Sequence, residues 1–70
     1  MKLHSVDSDM LIAAGYDQKS RTLEVIFRTG GKYRYKNVPS DKYDALLSAE
    51  SIGKYMHRHI IGRYEYVRVH

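Results

Sequence analysis

Alternating apolar and polar positions in the first half of the chain predict antiparallel strands. Residues 23–28 are β-branched and aromatic and alternate in part, residues 32–36 alternate strictly, and Thr29-Gly30-Gly31 between them is typical of a hairpin turn. An apolar stretch from Met10 to Tyr16 predicts an earlier strand, which ends at a polar turn. Together these segments predict a three-stranded antiparallel meander.

The register of the hairpin can be argued from its apolar residues. A three-residue loop at 29–31 would set Phe27 opposite Tyr33 and Val25 opposite Tyr35, which gathers apolar side chains on one face. The other face would then present a cluster of cations around one isoleucine: Arg28, Lys32, Arg34, Lys36 and Ile26.

In the second half of the chain the apolar period changes to that of a helix. Ser40 is expected to cap a first helix that ends near Glu50, and Ser51 to cap a second that ends at Gly62. Both helices carry an apolar stripe, so they are expected to cover one face of the sheet. The tail 63–70 alternates and is basic, and both an edge strand and an extended segment are compatible with it. The predicted class is α+β: a three-stranded antiparallel β-meander followed by two short helices packed on one face, with a basic C-terminal tail.

Length and composition restrict the class of protein further. The 70 residues suffice for a single domain, 1–70, with a thin core. The chain has no cysteine and no apolar run of the roughly 20 residues that span a bilayer. A soluble, cytoplasmic protein without a membrane partner is therefore expected. The net charge of +4 permits a polyanionic partner.

The sequence contains no residue pattern that predicts catalysis or metal binding. His57-Arg58-His59 looks like a metal motif, but on a helix the side chains of His57 and His59 point in nearly opposite directions. No activated nucleophile, glycine-rich phosphate loop or functional acid pair is evident. We therefore expect a protein that is not an enzyme and that has no cofactor, no metal and no small-molecule substrate.

Taken in order, several short motifs resemble the KTSC domain family, a module found at the C-terminus of some bacterial lysyl-tRNA synthetases and as a stand-alone protein. The resemblance covers about residues 6–69. It rests on the following residues: Val6-Asp7-Ser8, Gly15-Tyr16-Asp17, Leu23-Glu24-Val25, Phe27, Gly31, Tyr33-Arg34-Tyr35, Val38-Pro39, Tyr43, Leu46-Leu47, Ala49, Ser51, Gly53, Ile60 and Arg63-Tyr64. Two positions depart from the family pattern: Asp9 replaces a second serine, and His57 replaces an asparagine.

The resemblance implies RNA binding, which has been suggested for the family partly because of its place on a tRNA-handling enzyme. Stand-alone members also occur in phages, where small basic proteins often bind host machinery. The alternative is therefore a protein-interaction module, such as a small bacterial or phage regulator that docks on the transcription or translation machinery.

Basic and tyrosine side chains are the candidates for a nucleic-acid site, because phosphates attract cations and bases stack on aromatic rings. Tyr33 and Tyr35 could serve as a stacking platform, but the register above favours a place for both in the core. The candidate nucleic-acid-binding residues are Arg28, Lys32, Arg34, Tyr35, Lys36, Arg58, Arg63, Tyr64, Tyr66 and Arg68.

Overall fold

Five antiparallel strands form one sheet in the computed structural model, which describes residues 2–69. The strands are β1 Leu3–Ser5, β2 Leu11–Asp17, β3 Thr22–Phe27, β4 Lys32–Tyr35 and β5 Tyr66–Arg68. Each strand pairs with its neighbours in the chain, so the order across the sheet is β1-β2-β3-β4-β5. The α+β class is confirmed. The expected count of three strands is wrong, because the sheet has one further strand at each edge.

Both additional strands are short. β1 and β5 have three residues each; β1 is too short for alternation to be recognised, and β5 is part of the alternating tail. The pairing of β5 with β4 places Tyr66 opposite Tyr35 and Arg68 opposite Tyr33. The tail therefore forms an edge strand, which was one of the two arrangements compatible with its sequence.

The hairpin of β3 and β4 has a register two residues away from the expected one. Val25 lies opposite Tyr33 and Leu23 opposite Tyr35, so the expected pairing of Phe27 with Tyr33 is wrong. The Phe27 amide donates to the Gly31 carbonyl oxygen at 3.1 Å, which closes the loop one residue earlier than expected. A slip of two residues preserves the side-chain alternation, so the paired residues 23–26 and 32–35 stay on their predicted faces.

The observed register also improves the charge pairing across the hairpin. The expected register paired Glu24 with Lys36 but also placed Arg28 opposite Lys32; in the observed register Glu24 lies opposite Arg34, and Lys32 lies opposite Ile26. Opposite charges on directly paired residues stabilise a sheet, and like charges destabilise it. The turn needs Gly30 and Gly31 with φ of 106° and 96°, a region that residues with a Cβ rarely adopt.

Two helices and a π-helical segment lie between β4 and β5 in the chain. They are α1 Ser40–Ser48, α2 Ile52–Tyr55 and the π-helical turn Met56–Ile60, which continues α2. The Ser51 hydroxyl accepts a hydrogen bond from the Lys54 amide, as expected for a helix cap. Ser40 is instead the first residue of α1 and makes no side-chain cap, so that expectation is wrong. Within residues 2–69, no helix has both the length and the apolar character needed to cross a membrane.

The core lies between the helices and one face of the sheet. Leu46 of α1, Ile52 of α2, and Met56 and Ile60 of the π-helical turn are buried against the sheet. The sheet contributes further buried side chains: Leu11, Ala14, Leu23, Val25 and Tyr35. Each large apolar side chain buried in this way contributes about 1.5–3 kcal/mol relative to exposure. The packing fixes which face of the sheet stays open.

We expect Gly15→Ala to destabilise the protein by about 1–3 kcal/mol. A Cβ at this position would lie 2.5 Å from the Lys2 backbone oxygen, so β1 would have to move away from β2. The matched control is Gly53→Ala, whose Cβ would meet the Met10 Cβ at an ordinary 3.5 Å. Urea unfolding should show a loss for Gly15→Ala alone. Equal stabilities of the two variants would contradict the packing of β1.

Candidate nucleic-acid interface

Three of the four cations predicted on the open sheet face have partners within the protein. Glu24 is 4% exposed, and its carboxylate accepts a hydrogen bond from Arg34 Nε at 2.6 Å. Lys32 Nζ lies 4.0 Å from the other carboxylate oxygen of Glu24. Arg28 Nε donates to the Ser8 carbonyl oxygen at 2.7 Å. These contacts compete with phosphate, so the open face is less strongly basic than the sequence suggests.

The fourth of these cations, Lys36, lies with residues of the C-terminal segment instead. β4 ends just before Lys36, whose amide donates to the Glu65 carbonyl oxygen at 2.8 Å. This backbone contact holds the segment after the π-helical turn against the end of β4. A shallow depression forms between them, and it is lined by Lys36, Gly62, Arg63, Tyr64, Glu65, Tyr66 and Val67.

A second depression adjoins the first one. It is lined by Lys42, Arg58, His59, Arg63 and Tyr64. Arg63 and Tyr64 line both depressions, so the two form one continuous surface. We call this surface the C-terminal basic groove, and define it by Lys36, Lys42, Arg58, His59, Arg63, Tyr64 and Tyr66.

In the part of the chain that the structure describes, no cation of the C-terminal basic groove forms an ion pair with an acidic side chain. Within residues 2–69, the ion pairs of the protein all involve Glu24, on the open sheet face. Glu65 is the one acidic residue that lines either depression of the groove. The groove therefore concentrates positive charge that is available to a polyanion.

Tyr66 gives the groove an exposed aromatic ring. This residue is 57% exposed, and its ring lies 5.4 Å from the Tyr33 ring and 5.6 Å from the Tyr35 ring, between centroids. Arg68 lies over the other side of this cluster, with its guanidinium carbon 5.7 Å from the Tyr33 centroid. The neighbouring rings hold Tyr66 in place and so reduce the entropy that it would lose on stacking against a base.

Tyr35 does not reach the surface. It is 3% exposed, which confirms the place in the core that its register favoured, and Tyr33 is half-buried beside it. Burial raises the pKa of the Tyr35 phenol, and the nearby Tyr66 and Tyr33 raise it further. Tyr35 therefore supports the Tyr66 ring from below and is itself inaccessible to a base.

The structure adds two groove residues that sequence reasoning missed, Lys42 and His59. Lys42 lies on α1, whereas Arg58 lies on the π-helical turn, and only the packing of α1 against α2 brings them to one surface. The His59 ring lies 4.4 Å from the Tyr55 ring, between centroids. Among residues 2–69, no three histidine or acidic side chains are grouped so that they could hold a metal ion.

An antiparallel meander with helices on one face and a basic groove at one end describes a small α+β domain in outline. Residues 7–64 match the family model of the KTSC domain, and the chain belongs to this family. The resemblance drawn from the sequence motifs is thereby confirmed.

Relatives and a solved structure agree with this assignment. The chain is 40% identical to a protein of Stutzerimonas stutzeri (strain A1501) over 58 residues, which cover 83% of this chain and 82% of that protein. It is 39% identical to a protein of Tsukamurella paurometabola over 54 residues, 77% of this chain and 81% of the other. The crystal structure of a KTSC domain protein from Yersinia pestis aligns with a TM-score of 0.96 at 30% identity, covering 99% of this chain and 97% of that one.

We expect Arg34→Ala to destabilise the protein by about 1–3 kcal/mol, because it leaves the buried Glu24 carboxylate without its closest cation. The control is Lys36→Ala, two residues further along the chain, which should change the free energy of unfolding by less than about 0.5 kcal/mol. Urea denaturation measures both. If Arg34→Ala leaves the stability unchanged, Lys32 and solvent compensate the Glu24 carboxylate fully. That result would contradict the stabilising role assigned to the Arg34–Glu24 pair.

Proposed function

We propose that this KTSC domain is a non-enzymatic module that binds single-stranded RNA along the C-terminal basic groove. One observation carries the proposal: Lys36, Lys42, Arg58 and Arg63 line one continuous surface, and within residues 2–69 none of them is paired with an acid. Neutralising phosphates with such cations releases bound counterions, which drives association.

The groove suits a phosphate backbone better than the open sheet face does. A phosphate at the sheet face would have to approach the Glu24 carboxylate and to displace it from Arg34 and Lys32. In the groove no comparable competitor is present within the described chain, since Glu65 forms no ion pair with a groove cation. We therefore assign Arg58 and Arg63 to phosphate contacts and leave Arg28, Lys32 and Arg34 outside the site.

A single strand is favoured over a duplex by the exposed ring of Tyr66. Unpaired bases stack on aromatic side chains, which contributes about 1–3 kcal/mol per base, whereas paired bases are stacked already. Tyr66 lies at the end of the groove that Lys36 also lines. A strand that follows the cations can thus place one base on this ring. The preference for RNA over DNA comes from the family context, a module carried by lysyl-tRNA synthetases.

The first test is to measure the fluorescence anisotropy of a labelled single-stranded RNA while it is titrated with the protein, at two salt concentrations. With about four phosphates neutralised, log K should fall with a slope of about −3 against log salt. Affinity should then drop about 50-fold between 50 and 200 mM salt. Binding that is insensitive to salt, or absent at low salt, would contradict the proposal and favour the alternative of a protein-interaction module.

Arg58→Glu with Arg63→Glu should weaken RNA binding at least about tenfold and flatten the salt dependence. The matched control is Lys2→Glu with Lys19→Glu, because Lys2 precedes β1, Lys19 lies in the turn between β2 and β3, and neither residue lines the groove. Each pair of reversals lowers the net charge from +4 to zero, so a difference between them reports the location of the site. Equal losses in both variants would show that only net charge attracts the RNA.

Tyr66→Leu should weaken binding by about 1–3 kcal/mol if a base stacks on this ring, because leucine keeps apolar contact with Tyr35 but has no aromatic face. Tyr66→Phe serves as the control and should keep the affinity within about twofold. Anisotropy at one fixed salt concentration compares the three proteins. If the Tyr66→Leu variant binds RNA as tightly as the Tyr66→Phe variant, Tyr66 does not stack on a base of the RNA.

A further inference from the structure

A cleft lies at the end of the sheet opposite to the C-terminal basic groove. The groove lies where β4 ends, whereas this cleft lies where β3 ends, beside the β1–β2 loop and the start of α2. Its volume of about 460 Å³ falls within the range of about 300–1,000 Å³ that is usual for ligand sites. It is lined by Asp7, Ser8, Asp9, Met10, Phe27, Thr29, Glu50, Ser51, Ile52 and Gly53.

The cleft combines an apolar floor with acidic residues. Met10, Phe27 and Ile52 supply the apolar surface and are part of the core or packed against it. The acidic residues Asp7, Asp9 and Glu50 are exposed. None of these three forms an ion pair within the described chain, and no lysine or arginine lines the cleft. In a protein of net charge +4, the lining of the cleft thus carries only negative charge, and the nearest cations, Arg28 and Lys54, belong to residues beside it.

Hydrogen bonds fix both walls of the cleft. The Ser8 hydroxyl accepts from the Met10 and Leu11 amides at 3.0 and 3.3 Å, which shapes the β1–β2 loop. Arg28 Nε holds the same loop through the Ser8 carbonyl oxygen. On the other wall, the Ser51 hydroxyl accepts from the Lys54 amide at 3.2 Å. The cleft is therefore formed before any ligand arrives, which lowers the entropic cost of binding.

We propose that this cleft binds a basic peptide segment of a partner protein, one in which an apolar side chain is flanked by lysines or arginines. The apolar side chain would occupy the floor formed by Met10, Phe27 and Ile52. The flanking cations would meet Asp7, Asp9 and Glu50. RNA fits this cleft poorly, because its phosphates would approach the carboxylates of Asp7, Asp9 and Glu50 in a lining that contains no lysine or arginine.

The net positive charge of the protein makes the choice of occupant more specific. The basic surfaces, including the C-terminal basic groove, repel a cationic peptide. The acidic residues of the cleft attract it, which favours binding at the cleft. The cleft and the groove thus select ligands of opposite charge at the two ends of the sheet. The peptide site does not depend on the proposed RNA site, and either can fail without the other.

Gly53 allows the cleft to be blocked without disturbing the fold. Its Cβ would meet only the Met10 Cβ at 3.5 Å, and its backbone is not in the left-handed region. Gly53→Leu therefore extends a side chain into the cleft, whereas Gly53→Ala adds one methyl group and raises helix propensity. The alanine variant is the matched control for the leucine variant.

The experiment is a titration of a fluorescein-labelled peptide, with a central leucine between two pairs of arginines, into the full chain. We expect a dissociation constant of about 10–500 μM, unchanged within about twofold by Gly53→Ala and weakened at least about tenfold by Gly53→Leu. A peptide with serine in place of the leucine, and one with glutamates in place of the arginines, should both bind at least about tenfold more weakly. Equal binding by Gly53→Leu, or no binding of the arginine peptide at about 2 mM, would overturn the proposal.

A charge test keeps the proposal falsifiable if Gly53→Leu unfolds. Asp7→Asn with Asp9→Asn should weaken the peptide about five- to tenfold, because each exposed ion pair contributes up to about 1 kcal/mol. The control, Asp41→Asn with Asp44→Asn, removes the same charge from the exposed surface of α1 and should leave affinity within about twofold. Equal weakening by both pairs would show general electrostatic attraction and would overturn the assignment to the cleft.

Discussion

The burial of one face of the sheet beneath the helices is the constraint on which the rest of the structure depends. Leu46, Ile52, Met56 and Ile60 supply most of the apolar surface that the helices bring to the sheet. Because alternation commits every second residue of each strand to that face, the remaining residues must stay on the open face. The same packing carries Arg58 toward Lys42 and Arg63, and it leaves the cleft beside Ile52 unfilled.

Sequence patterns were sufficient to predict the faces of the central strands and the stripe of the second helix. Alternation in β3 and β4 placed Leu23, Val25 and Tyr35 in the core even though the register was wrong by two residues, since an even slip keeps the faces. Alternation could not reveal β1, because its three residues do not define a period, and in the tail it left an edge strand and an extended segment equally compatible with the sequence. The π-helical turn after Tyr55 was also missed, as its apolar residues fit an ordinary helix equally well.

The candidate site was harder to predict than the fold, because the availability of a cation depends on its partners in three dimensions. Arg34 and Lys32 looked like phosphate ligands in the sequence, yet both lie beside the buried carboxylate of Glu24. The sequence did not indicate Lys42 as a site residue, because its neighbours on α1 are not basic. An aromatic row of Phe27, Tyr33 and Tyr66 connects the acidic cleft with the C-terminal basic groove, so the ends of the sheet have opposite charge but share one packed support.

The most direct test of the central claim is a series of ¹H–¹⁵N NMR spectra of the full chain recorded while single-stranded RNA is added. If the C-terminal basic groove is the nucleic-acid interface, the amides of Arg58, Arg63, Tyr64 and Tyr66 should shift most, and those of Glu24 and Ile26 on the open sheet face should stay in place. Shifts concentrated at Glu24 and Ile26, with the groove unchanged, would contradict the account and return the site to the sheet face.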